Sequence, residues 1–316
     1  MRSEDMKRAC ILLLVLIFSI SLTTSLMAKG DQMKRLKKRV AVFDFEDKTE
    51  HRHRWWTGQP VGEGMADMLT TELVKSGQYI VIERQSIESI MKEQQLGMTG
   101  AVTSQSAAKV GQLLGVELAI VGAVTEFGWA KSGSGINLKQ KGFGFGISSA
   151  SATVGIDVRF INTSTGEILA ADNVRKEKSK KGLKIDTQKL GFKNRNDFDQ
   201  SLVGKATREA IEDIMGKVDS QMTALPWQAK VIKVTGNNCY INSGAESGVN
   251  IGDVFSVYQK GEELIDPDTG LSLGSEETKI GEIGVANNNI GNGKASKCVI
   301  KSGAGIIEAG ALVRVK

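Results

Sequence analysis

Few side chains in this sequence have the types and spacing that chemistry requires. Its two histidines, His51 and His53, stand in a polar loop near Asp47 and Glu50, half of a metal-ligand set and no more. No further histidine is left to activate a serine or cysteine nucleophile, and neither a G-x-S-x-G elbow nor a Walker lysine motif occurs. The glycines from Gly142 to Gly146 alternate with phenylalanine and open no helix, which argues against a dinucleotide site. Asp266-Pro-Asp-Thr-Gly270 begins like a calcium loop but lacks the later ligands, so it predicts a Pro/Asp/Gly turn. The expectation is a protein that is not an enzyme and takes no metal or cofactor.

Three other groups of residues carry more. Cys239 and Cys298 are the cysteines left once Cys10 is assigned to a leader, and in an oxidising compartment such a pair is a disulfide candidate. The bond would close a loop of about 60 residues and add about 4 kcal/mol in the chain-entropy description. Two buried free thiols on neighbouring strands is the other reading. Residues 175–195 carry nine basic side chains, among them Arg175, Lys176, Lys178, Lys180, Lys181 and Lys184, against only Glu177 and Asp186. That local charge of +7 exceeds the +5 of the whole chain. In an exported protein it suits anionic headgroups or cell-wall polymers rather than nucleic acid, with a merely solvated hairpin as the alternative.

The third group is apolar. Phe143, Phe145 and Ile147 fall on one strand face with bare glycines between them, and Phe127 and Trp129 share a face of the preceding arm. Such a hairpin either lies on something apolar or contacts a membrane.

The elements that position these residues follow from periodicity. Lys7 and Arg8, the apolar run from Cys10 to Leu22 and the small residues up to Ala28 predict a secretory signal peptide over residues 1–28. The protein is therefore expected to be exported to the periplasm. Val40–Phe45 and Tyr79–Glu83 read as buried strands. Between them Met65, Leu69 and Leu73 mark an amphipathic helix stopped by Gly77. Two more helices are expected, one around Ile87 and one from Ser104 to Gly115, followed by long strands from Leu118 and a turn at Asn162-Thr-Ser-Thr-Gly166. A helix from about Asp199 to Met222 carries apolar residues every four positions. After Pro226 the pattern changes to short strands and glycine turns, which suit a small barrel. The predicted class is α/β (α+β): a periplasmic domain over residues 39–222 with a mixed sheet and two extended hairpins, then an all-β barrel over 226–316.

Val81-Ile-Glu-Arg-Gln85, Gln94-Gln-Leu-Gly97, Val121-Gly-Ala-Val-Thr125 and Ile161-Asn-Thr-Ser-Thr-Gly-Glu-Ile-Leu169 together resemble the CsgG family, which provides the outer-membrane secretion channel for curli subunits. The resemblance spans about residues 39–220 and implies a ring of identical subunits. In the family's channel members each subunit lends two hairpins to one large barrel, and residues 125–155 and 172–198 correspond to them. It implies as partners further copies of the chain, envelope or secreted proteins, and the outer membrane. The sequence departs from the family in showing no lipidated cysteine and in placing Trp55 and Trp56 in the loop where the constriction residues are expected. The second hairpin has no continuous apolar face, and each charge at a bilayer midplane costs about 2–4 kcal/mol. The last 91 residues, 226–316, are similar to the β-barrel module that ends the flagellar assembly protein FlgT, which implies a protein-contact module.

Overall fold

Short runs of β-branched residues build the first sheet, and glycines decide where its elements stop. The structure, a computed structural model, describes residues 36–49, 58–83, 87, 103, 106–107, 115–134, 147–181, 192, 194–265, 267 and 272–316. It separates into two units, one of residues 38–225 with 264–274, the other of 226–263 and 275–316 with Leu36 and Lys37. The expected signal peptide and the histidine loop lie outside the described residues.

In the first unit, β1 (Arg39–Val42) lies between β3 (Ile80–Val81) and β4 (Leu118–Ser134), parallel to both, and β2 (Glu46–Asp47) also pairs with β4 in parallel. β5 (Ile147–Asn162) and β6 (Ile168–Lys181) complete the sheet as an antiparallel meander. The sheet thus begins with crossovers and ends with hairpins, as the element order predicts. The β5–β6 turn is the predicted one: Gly166 takes a φ of +79°, its N–H donates to the Asn162 carbonyl, and Asn162 Oδ1 accepts from the Ser164 N–H.

Helix α1 (Val61–Ser76) and helix α3 (Leu202–Ala224) cover one face of the sheet, with the short α2 (Arg195–Gln200) before α3. Met65, Leu69 and Leu73 of α1 and Ala206, Ala210, Ile214 and Val218 of α3 are fully buried there against Val40, Ile120, Ile156 and Phe160. The alternate strand residues Ala41, Phe43, Ala119, Val121 and Ile161 form a smaller core on the opposite face with Ile87 and Ala107. Most of the two helices expected around those last residues falls outside the described set. A buried carboxylate closes the base of the sheet: Glu117 accepts from the Arg39 N–H at 2.7 Å, and the Glu117 carbonyl accepts from the Thr163 N–H.

The second unit is a closed barrel in the order β10-β11-β8-β7-β12-β9, with β7 Gln228–Thr235, β8 Asn238–Ile241, β9 Val254–Ile265, β10 Ser272–Ile290, β11 Ala295–Ser302 and β12 Leu312–Val315. Closure leaves no open sheet edge, which is how a small all-β unit avoids pairing with strangers. Trp227 stacks on Phe255 at 5.0 Å inside it. β9 and β10 run well beyond their apolar cores at 254–258 and 280–285, and their extensions carry the exposed Leu264, Ile265 and Leu273. Arg314 grips Glu277 through two bonds of 2.6 and 2.9 Å. The Glu282 carboxyl is held down to about 2 by its bonds to Lys279 and Lys316.

Two glycines within α3 behave in opposite ways. A Cβ on Gly204 would lie 1.9 Å from the Phe198 carbonyl oxygen, so the first turn packs against α2 only without a side chain. Gly216 faces open space. Urea unfolding is expected to show Gly204→Ala losing about 3 kcal/mol or more by forced separation of the two helices. Gly216→Ala is expected to gain about 0.5–1 kcal/mol, the helix-propensity difference.

Candidate functional site

The ribbon formed by β4, β5 and β6 holds most of the residues singled out in the sequence. Its register turns on a single irregularity. Val124 pairs with Ile156 and Glu126 with Gly155, so Thr125 is an extra residue in β4. A bulge of this kind shifts the side-chain alternation by one. Val124 and Phe127, three apart, therefore face the same way, toward α3. Phe127 is 6% exposed and belongs to the main core, and Trp129 packs half-buried against it. Gly155 sits opposite the bulge, where a Cβ would lie 3.1 Å from both Thr125 Oγ1 and Glu126 Cβ. Phe143 and Phe145 are outside the described residues, and Ile147 opens β5, paired with Ser134.

The basic segment divides between the two faces of β6. On the helix side Lys176 bonds Asp213 at 2.6 Å and Lys178 bonds Glu209 at 2.5 Å, while Lys217 reaches back to Asp172 at 2.8 Å. The spacing suits the first two pairs: Lys176 and Lys178 are two strand residues apart, about 6.6 Å, and Asp213 and Glu209 are one helical step of four apart, about 6 Å. Val174, between Asp172 and Lys176, is buried against the same helix. On the outer side Arg175 Nε donates to both carboxylate oxygens of Glu126 at 3.1 Å, and Arg175 also lies 3.7 Å from Glu177. Asn173 there bonds Asp157 at 2.6 Å. The hydrogen bond to Asp213, with the Asp213, Glu209 and Glu212 charges around it, raises the Lys176 pKa above its ordinary value. Each of these half-exposed pairs is worth little by itself, and together they align helix with strand. Lys180 is exposed opposite Ala150, Lys181 pairs with Ser149, and Lys184 lies outside the described residues.

The remaining candidates sit in the barrel. Cys239 on β8 and Cys298 on β11 are directly opposed in register, both fully buried, and stand as free thiols. Among the described residues no group of three His, Cys, Asp or Glu side chains could hold a metal. Also among them, no helix is long and apolar enough to cross a membrane.

Sequence reading missed the acidic partners Glu209, Asp213 and Asp172, and the buried Glu117. The first two had a visible signal, since Glu209, Asp213 and Lys217 repeat at the helical interval of four on the flank of an apolar stripe.

The family description "curli production assembly/transport component CsgG" matches residues 23–239, well over half of the chain. The chain belongs to the CsgG family. The family is one of transport and assembly components. No curated protein matches the chain by sequence. Similar solved structures include the hypothetical protein CT253 from Chlamydia trachomatis, at 15% identity over 60% of this chain and 99% of that one, with a TM-score of 0.40. Lipoprotein GNA1162 from Neisseria meningitidis is similar at 13% identity, covering 59% of this chain and 99% of its own, with a TM-score of 0.32. The PelC dodecamer from Paraburkholderia phytofirmans is similar at 12% identity, 57% and 86% coverage and a TM-score of 0.28.

Burial of Phe127 in the core fixes an expected cost. Phe127→Ala should lower unfolding stability by about 3 kcal/mol or more in lipid-free buffer. Lys180→Ala, exposed on the same ribbon, should change it by less than about 0.5 kcal/mol. Chemical denaturation of both variants checks the difference.

Proposed function

We propose that the protein is an exported, ring-forming component of an outer-membrane assembly or secretion system. It acts by oligomerising rather than by catalysis, with the C-terminal barrel docking an envelope or secreted protein partner. The supporting observation is the length of the ribbon. Among the described side chains the main core reaches Trp129 on β4 and Ala152 on β5, and the ladder continues from there to the Ser134–Ile147 pair. Among the described strands β6 is paired on one side only. A ladder that continues past its core and ends in an open edge presents backbone groups suited to the same strands of a neighbouring copy. Membership of a family of assembly and transport components supports the same reading.

The composition of β6 favours a second reading, a soluble periplasmic scaffold or regulator that forms no pore. Lys180 and Lys181 stand at its outer end, and charged edge strands resist pairing with strangers. At a bilayer midplane each such lysine would cost about 2–4 kcal/mol.

Fractionation and electron microscopy separate the two. The channel reading expects the protein in outer-membrane fractions, released only by detergent, with closed rings of one subunit number in micrographs. A monodisperse monomer recovered without detergent contradicts it.

A further inference from the structure

We propose that Cys239 and Cys298 are joined by a disulfide in the exported protein, a covalent staple across the β8–β11 seam of the barrel. The inference rests on the export part of the proposed function and not on ring formation. β8 is only four residues long, and its ladder to β11 consists of four pairs, Ser296–Ile241, Lys297–Tyr240, Cys298–Cys239 and Val299–Asn238. The cysteines form one of the two inner pairs. Directly opposed residues of an antiparallel ladder have Cα atoms about 4.5–5.5 Å apart, inside the range that a disulfide spans without moving the backbone. Both side chains lie in the barrel core among Ala229, Val231, Ile241, Val285 and Ile300, and the ladder sets them side by side.

The chemistry balances with an oxidant of the disulfide class, whether a periplasmic dithiol oxidoreductase or oxidised glutathione. The Cys239 thiolate attacks one sulfur of the oxidant and expels a thiolate. Cys298 then attacks the mixed disulfide at Cys239 Sγ and expels the second. The pair loses two electrons, which reduce the oxidant, and two protons, which end on its thiols. Since neither sulfur is exposed, exchange takes place before the barrel closes, and the finished bond is sealed from reductant.

The test uses the full chain secreted into an oxidising compartment, alkylated in denaturant with and without prior reduction, and mapped by mass spectrometry. The expected result is a linked peptide pair holding Cys239 and Cys298, no alkylation of either without reductant, and alkylation of both after reduction in denaturant. Reductant without denaturant should leave the link intact. Alkylation of both residues in the unreduced, secreted protein overturns the proposal. A thermal scan gives an independent reading: protein reduced in denaturant and refolded under reductant, uncapped, should melt about 10 °C or more below the oxidised protein. The Cys239→Ala, Cys298→Ala double variant should melt at the same temperature with and without reductant. A wild-type Tm indifferent to reduction contradicts the staple even where the variant fails to fold.

Discussion

One extra residue in β4 decides which way the hairpin faces. With Thr125 bulged out, Val124, Phe127 and Trp129 line a single surface. Without it the two aromatics would turn to the side now occupied by Glu126, Arg175 and Asp157. Much else in the first unit depends on that parity. Gly155 is bare because the bulge crowds it, α3 packs where Phe127 and Trp129 lie, and β6 follows in register so that Lys176 and Lys178 meet Asp213 and Glu209. Hydrophobic burial supplies the energy and the ion pairs supply alignment, a division that fits the small worth of half-exposed charge pairs.

The consequence for function is a boundary within the ribbon. Up to Trp129 and Ala152 the strands are part of a folded domain and are held by its core. Beyond them the ladder continues to the Ser134–Ile147 pair, and it is on this outer portion that the proposed ring would be built. The basic segment therefore has two roles to share. Among the described residues Lys176 and Lys178 are engaged by α3, whereas Lys180 is exposed.

The architecture was legible in local patterns. The four-residue spacing of α3, the Asn162–Gly166 turn, the glycine stop of α1 and the change of texture at Pro226 each come from nearest-neighbour chemistry that a sequence displays directly. What escaped is long-range. The basic segment looked like an unpaired patch because its counter-charges Glu209 and Asp213 lie about thirty residues further on, on a helix whose rotation against the sheet no local pattern reveals. The bulge is invisible for a related reason: a strand's alternation shows two possible phases, and only packing against α3 selects between them. Cys239 and Cys298 were paired by elimination in the sequence, whereas the barrel's closure is what sets them face to face.

The emission of Trp129 tests the central claim most directly, in a variant where Trp55, Trp56 and Trp227 are replaced by phenylalanine. With the protein assembled in vesicles carrying brominated lipids, Trp129 is predicted to keep its intensity, because its face is packed on the protein's own core. Strong quenching by the bromolipids, absent in buffer, would show that this face meets the membrane and would contradict the account.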